Sequence, residues 1–168
     1  MRSGLSYSAA PAEDERELED VYLKLLTLIE RLHRQLLDVI KDELDRVGQT
    51  NINAVQALLL YNIGDAELTA GELRSRGHYL GSNVSYNLKK LVESGYISHK
   101  RSSADRRSVR VSLTPAGFEI RERLAGLFDR HLESVEKVGD VSSSMVETTN
   151  LTLDRLERFW ADQIRFQL

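Results

Sequence analysis

From Glu13 to Val47 the chain runs without a glycine or a proline, while Leu18, Val21, Tyr22, Leu25, Leu28, Ile29, Leu32, Leu36, Val39, Ile40 and Leu44 recur at helical spacing. A helix of roughly 33 residues is about 50 Å long, whereas a compact chain of this size is about 40 Å across. Such a helix outruns any core that one subunit can build. Leu23, Leu26 and Leu37 also widen the apolar band beyond a single stripe, so a second surface is required to cover it. The other end of the chain repeats the problem. After Gly139, Val141 to Gln167 forms a terminal helix with Val146, Leu153, Leu156, Phe159 and Trp160 as packing residues. Long amphipathic helices at both ends predict dimerisation helices that interlock across a two-fold axis.

Between them the periodicity changes. Thr69 to Ser75 reads as a short helix, Gly77 and Gly81 mark a turn, and Ser82 to Ser94 reads as a second helix with Gly95 as its closing residue. Val84, Leu88, Leu91 and Val92 form the buried stripe of that helix. Ile97, His99 and Arg101 then share one strand parity, Val109, Val111 and Leu113 share one face of a return strand, and Ser102 to Ser108 connects them. Thr114 and Pro115 open a further helix that runs to about Lys137 and is broken at Gly139. The fold class is therefore mostly α with a small β-hairpin wing: a winged helix-turn-helix with N- and C-terminal dimerisation helices. The expected division is a disordered tail over 1–12, a dimerisation helix over 13–47, a winged helix-turn-helix DNA-binding domain over 48–115, and C-terminal helices over 116–168 that complete the dimerisation region.

Charge points to the ligand of that middle segment. The whole chain carries a net charge of −3, yet Leu68 to Leu113 holds nine Lys/Arg against three acids, a local excess of +6 that leaves −9 on the remainder. A basic module on an acidic frame presents one face to a polyanion. The exposed side of the second helix offers Ser82, Asn83, Ser85, Tyr86, Asn87, Lys89 and Lys90. Lys89, Lys90 and Arg101 suit phosphate contacts, and Asn83 and Asn87 can pair with the N6 and N7 edge of adenine. Arg106 and Arg107, at a narrow hairpin tip, suit the negative potential of an A·T-rich minor groove.

Other chemistry finds little support. Without cysteine there is no disulfide and no thiolate metal site. His33, His78, His99 and His131 lie on separate elements without the close spacing of metal ligands, so no metal and no cofactor are expected. No nucleophile elbow or phosphate-cradling glycine loop is present, and the expectation is a protein that is not an enzyme. No apolar run approaches the roughly 18 residues of a membrane span, and the Ser/Ala-rich start lacks the apolar segment of a signal peptide. A cytoplasmic chain with no membrane partner is expected.

Asp105, Arg107, Leu113 and Thr114 reproduce a wing pattern, an acid and an arginine two apart, then five residues and Leu-Thr, that resembles the MarR-type transcriptional regulators. Residues 83–97 also resemble the recognition helix of that family and its exit into the wing. The resemblance runs from about residue 15 to the end in element order. It implies a triangular homodimer, with recognition helices in major grooves and wings at minor grooves of a pseudo-palindromic double-stranded DNA operator. It further implies that Arg107 reaches the minor groove and that Asp105 holds the wing tip in shape. Tyr86 departs from the arginine many members carry at that position. In this family ligands lodge between the terminal helices and the winged lobe, which here implies an effector site at His33, Leu37 and Gln56 for a small apolar or aromatic compound. The expected function is a homodimeric, sequence-specific DNA-binding regulator, a repressor released by a small-molecule effector. The alternative is a winged-helix module for protein–protein assembly without sequence-specific DNA binding, from which salt-dependent DNA affinity separates it.

Overall fold

A computed structural model describes residues 13–69, 72–73, 81–101 and 109–166. Its elements are α1 (Glu13–Arg46), α2 (Ala54–Ile63), β1 (Leu68–Thr69), α3 (Gly81–Glu93), β2 (Ile97–Arg101), β3 (Val109–Leu113), α4 (Pro115–Gly139) and α5 (Ser143–Phe166). The chain divides into two compact units, residues 1–56 and 57–168.

In the first unit, α1 is the long uninterrupted helix that the sequence predicts. Ile40 and Leu44 are buried, whereas Leu18, Val21 and Leu32, earlier in the helix, remain well exposed. Glu43 is buried too, its carboxylate 3.6 Å from the guanidinium of Arg46. The start of α2 is set by a capping box: the Asn53 side chain accepts from the Gln56 amide at 2.9 Å, and the Gln56 side chain accepts from the Asn53 amide at 3.2 Å.

The second unit is built around the three-stranded antiparallel sheet, in the order β1-β3-β2. The hairpin register pairs Ile97 with Leu113, His99 with Val111 and Arg101 with Val109, the parity read from the sequence. β1 is an addition to the expected two strands, with Leu68 opposite Val111 and Thr69 opposite Arg110. Thr69 also starts the next helical segment. Its hydroxyl accepts from the Glu72 amide at 3.1 Å and the Glu72 carboxylate accepts from the Thr69 amide at 2.6 Å, a second capping box. Glu72 and Leu73 are helical, and the rest of the helix expected over Thr69 to Ser75 lies outside the described residues, as do Gly77 and the turn.

Leu59, Leu60, Ile63, Leu68, Leu73, Leu91, Ile97, Val111, Ile120 and Leu124 form the buried core of this unit. Of the stripe expected on α3, Leu88 and Leu91 are buried and Val92 is half-buried, while the side chain of Val84 lies outside the described set. Tyr61 of α2 meets Phe128 of α4 edge-on, ring centroids 5.1 Å apart, and Arg121 of α4 reaches Asp65 in the turn after α2 at 3.3 Å.

Two helix ends differ from expectation. α4 includes Gly139 instead of breaking at it, and Asp140 takes the left-handed cap with φ 53°. Asp tolerates that conformation better than most residues because its short side chain can bond locally. α5 starts two residues later than expected, capped by Ser142, whose hydroxyl accepts from the Met145 amide at 3.3 Å. No described side chain of α5 is buried in the protomer: Leu153, Leu156 and Trp160 are half-buried, and Val146 and Phe159 are exposed.

Candidate nucleic-acid interface

The recognition element is fixed at its C-terminal end by backbone geometry. Gly95 adopts φ 79°, the Gly95 amide donates to Val92 at 3.1 Å and the Tyr96 amide donates to Leu91 at 2.9 Å. This is a Schellman motif, which turns the chain out of α3 and directly into β2. The wing is thus set at a defined angle to the helix it accompanies.

On α3, Tyr86, Lys89, Lys90 and Glu93 stand at i, i+3, i+4 and i+7 and share one exposed face. Ser85 is exposed beside them and Asn87 is half-buried. Glu93 holds both lysines, with Lys90 Nζ at 3.1 Å and Lys89 Nζ at 3.9 Å. The bond to Glu93 and its charge, with a smaller contribution from the Tyr86 phenol, raise the Lys90 ammonium above its ordinary value, so that it stays cationic. Ser82 and Asn83 lie on the first turn of α3 and Arg101 at the end of β2, but their side chains fall outside the described set. Asp105, Arg106 and Arg107 lie outside the described residues altogether.

The sheet adds two residues that were not singled out from the sequence. Lys100 and Arg110 are direct cross-strand partners on β2 and β3, and both are exposed. Like charges placed opposite one another on a sheet are unfavourable unless something anionic lies between or above them. The alternation along the strands contained this signal, because Lys100 and Arg110 have the parity opposite to buried Ile97 and Val111. The same outer face carries Ser98 and Ser112, hydroxyl to hydroxyl at 2.9 Å.

Of the residues expected to hold an effector, Leu37 lines a cleft among the described residues. The cleft, of about 490 Å³, is lined by Leu37, Asp38, Lys41, Leu44 and Asp45 of α1 and by Gln49, Thr50 and residues 52–55 after it. Leu37 belongs to it, whereas neither His33 nor Gln56 is in its lining, and the Gln56 amide is engaged in the α2 capping box. Lys41 and Asp45, both in this lining, are paired with each other on the exposed surface of α1. Among the described residues, no group of three or more His, Asp or Glu is placed to hold a metal ion, and no helix is long and apolar enough to cross a membrane.

A capped helix leading through a Schellman turn into a basic antiparallel wing defines a winged helix DNA-binding protein. Residues 52–117 match the family described as the winged helix DNA-binding domain. The chain is 38% identical to the exopolysaccharide II synthesis transcriptional activator ExpG of Rhizobium meliloti strain 1021, over 91% of this chain and 80% of the relative. Among solved structures it resembles Streptococcus pneumoniae FabT in complex with DNA, with 26% identity, a TM-score of 0.63, and coverage of 84% of this chain and 98% of the other. It also shares the fold of a Staphylococcus aureus MarR solved with salicylate and kanamycin, with 20% identity, a TM-score of 0.68, and coverage of 88% and 97%. The chain belongs to the MarR-type winged helix-turn-helix transcriptional regulators, and like its relatives it is a regulator, not an enzyme.

Proposed function

We propose that the protein is a homodimeric, cytoplasmic regulator that binds a pseudo-palindromic DNA site through α3 and the wing. The observation that carries this reading is the alignment of Tyr86, Lys89 and Lys90 on one exposed face of α3, next in sequence to a wing whose Lys100 and Arg110 stand opposite each other. In this reading Ser82, Asn83, Ser85 and Asn87 face base edges, while Lys89, Lys90 and Arg101 neutralise phosphates. Arg106 and Arg107 enter the minor groove, with Asp105 shaping the tip. Residues 48–115 are the DNA-binding domain, and residues 13–47 and 116–168 supply the dimer contacts. Leu18 on α1 and Ile164 on α5, exposed by 71% and 80% in the protomer, support that last assignment.

Control by a small apolar or aromatic effector belongs to the same proposal, through Leu37 of the cleft together with His33 and Gln56. The S. aureus structure holds salicylate and kanamycin, which supports a ligand-responsive fold. An effector releases DNA only through unequal affinity for DNA-competent and incompetent dimers. Repression is the sign of control implied by the family resemblance. The R. meliloti relative is named an activator, which favours activation as the second reading.

Selection of duplexes from a random-sequence pool by the purified protein tests the core of the proposal. The expected product is an inverted repeat with half-site centres about one helical turn apart, whose affinity falls steeply with salt. A pool without enrichment would overturn the DNA-binding reading, and direct half-site repeats would overturn the two-fold dimer.

A further inference from the structure

We infer that Tyr86 is a base-reading residue, and that it recognises thymine by packing its ring against the 5-methyl group in the major groove. The inference rests on the proposed DNA-binding role of α3 and assigns one of its contacts.

Tyr86 is 61% exposed. Leu88 and Leu91, the neighbouring large apolar residues of α3, are buried, and Val92 is half-buried, so the core of the unit is complete without the Tyr86 ring. The ring stands on the face that also carries Lys89 and Lys90, which places it where a ligand of those lysines would meet it. Its position along the helix is informative as well. Tyr86 precedes the lysines by three and four residues, about one turn or 5.4 Å of rise, and so lies nearer the N-terminal end of α3. In helix-turn-helix docking that end meets base edges, while residues further along reach the backbone.

The chemistry of the ring then selects its target. The Tyr86 ring is planar and apolar, with two rotatable bonds, so little conformational freedom is lost when it is held. Base edges in the major groove are mainly hydrogen-bond donors and acceptors, and the thymine 5-methyl is the methyl group that unmodified DNA presents there. Ring against methyl removes both from water. Burying one methyl-sized group corresponds to about a fourfold change in affinity.

The test uses the tightest duplex selected from a random-sequence pool, resynthesised with deoxyuridine replacing thymidine at one position at a time. Uracil keeps every hydrogen-bonding group of thymine and lacks the methyl. Wild type should lose about fourfold at one or more thymines of each half-site, and Tyr86→Phe should show the same loss at the same positions. Tyr86→Ala should be indifferent to the methyl there, while unfolding at the same urea concentration as wild type because the side chain is exposed. Equal affinity of wild type for thymine and uracil duplexes, a uracil loss of the same size in Tyr86→Ala, or a selected half-site without thymine would each overturn the inference and leave the DNA-binding reading intact. A pool that yields no enriched sequence would overturn both.

Discussion

Thr114 binds the exit of the recognition helix to the start of α4: its hydroxyl donates to the Gly95 carbonyl at 2.7 Å and its amide donates to the Tyr96 carbonyl at 3.0 Å. The same hydroxyl accepts from the Gly117 amide at 3.2 Å as the N-cap of α4. One side chain therefore couples the Schellman turn to the first turn of the next helix. Thr114→Ala should cost about 1–2 kcal/mol, from a lost cap and a lost hydrogen bond, and Thr114→Ser should recover most of it. Urea denaturation of the three proteins decides the matter; equal midpoints for Thr114→Ala and wild type would contradict the coupling.

Gly117 and Gly126 lie on the same helix and should respond in opposite directions to alanine. A Cβ on Gly117 would sit 2.2 Å from the Tyr96 carbonyl oxygen, a backbone atom already engaged by Thr114, so α4 must shift away from the turn. Overpacking of this kind costs about 1–3 kcal/mol. A Cβ on Gly126 meets only the mobile end of Arg130, at 3.7 Å, and the helix gains up to about 1 kcal/mol from the better helix former. Thermal melting of both variants measures the two signs.

These contacts show what was legible in the sequence and what was not. Gly95 could be read as a helix terminator because the glycine follows a clear 3.6-residue stripe, and the hairpin parity could be read because five-residue strands repeat every second residue. β1 could not, since two residues carry no periodicity and Leu68 joins the sheet only through its pairing with Val111. Propensity places the break of α4 at Gly139, whereas the helix includes that residue and Asp140 takes the left-handed conformation after it. The role of Gln56 was visible in principle: Asn53 and Gln56 have capping-box spacing, as do Thr69 and Glu72. The opposition of Lys100 and Arg110 required the register, which depends on both strands at once.

In the proposed interface Lys100 and Arg110 trade stability for ligand affinity. Lys100→Gln removes a like-charge cross-strand pair and should raise folding stability by a few tenths of a kcal/mol, about 0.3. It should also weaken DNA binding to all sequences alike and lower the slope of log K against log salt by about one. Denaturation and salt titrations on one preparation give both numbers. A variant that loses stability, or binds DNA as tightly as wild type at every salt concentration, would remove these residues from the interface.

In the proposed interface Glu93 competes with DNA for Lys89 and Lys90, because its carboxylate pairs with both ammonium groups in the protomer. Glu93→Gln should strengthen binding to random-sequence DNA about threefold to tenfold at low salt, since a competing surface ion pair and a repulsive charge near phosphate are both lost. Lys89→Ala should weaken all sequences similarly and lower the salt slope by about one. Arg107→Ala should differ from both, costing roughly 1–3 kcal/mol on the specific site with little change in folding. Unaltered specific affinity in Arg107→Ala would exclude its minor-groove role.

The half-buried residues Leu153, Leu156, Trp160 and Gln163 of α5 are spaced 3, 4 and 3 apart, the seam of a helix that packs against another helix, yet no described side chain of α5 is buried in the protomer. Leu151 and Phe159, eight residues apart and both more than half exposed, widen this apolar surface. In a dimer that covers them, charges introduced at these sites have no partner and lose their water. Leu151→Glu with Phe159→Glu should therefore convert the dimer to a monomer by light scattering at micromolar concentration, with helical content by circular dichroism close to that of wild type. In the proposed architecture one dimer binds two half-sites, so operator affinity should fall about a hundredfold while affinity for an isolated half-site changes little. Glu147→Gln, on the exposed start of the same helix, serves as the control and should remain dimeric. A double variant that stays dimeric and keeps full operator affinity would place the dimer contact away from α5, whereas a wild type that is itself monomeric would remove the two-fold architecture and with it the requirement for an inverted repeat.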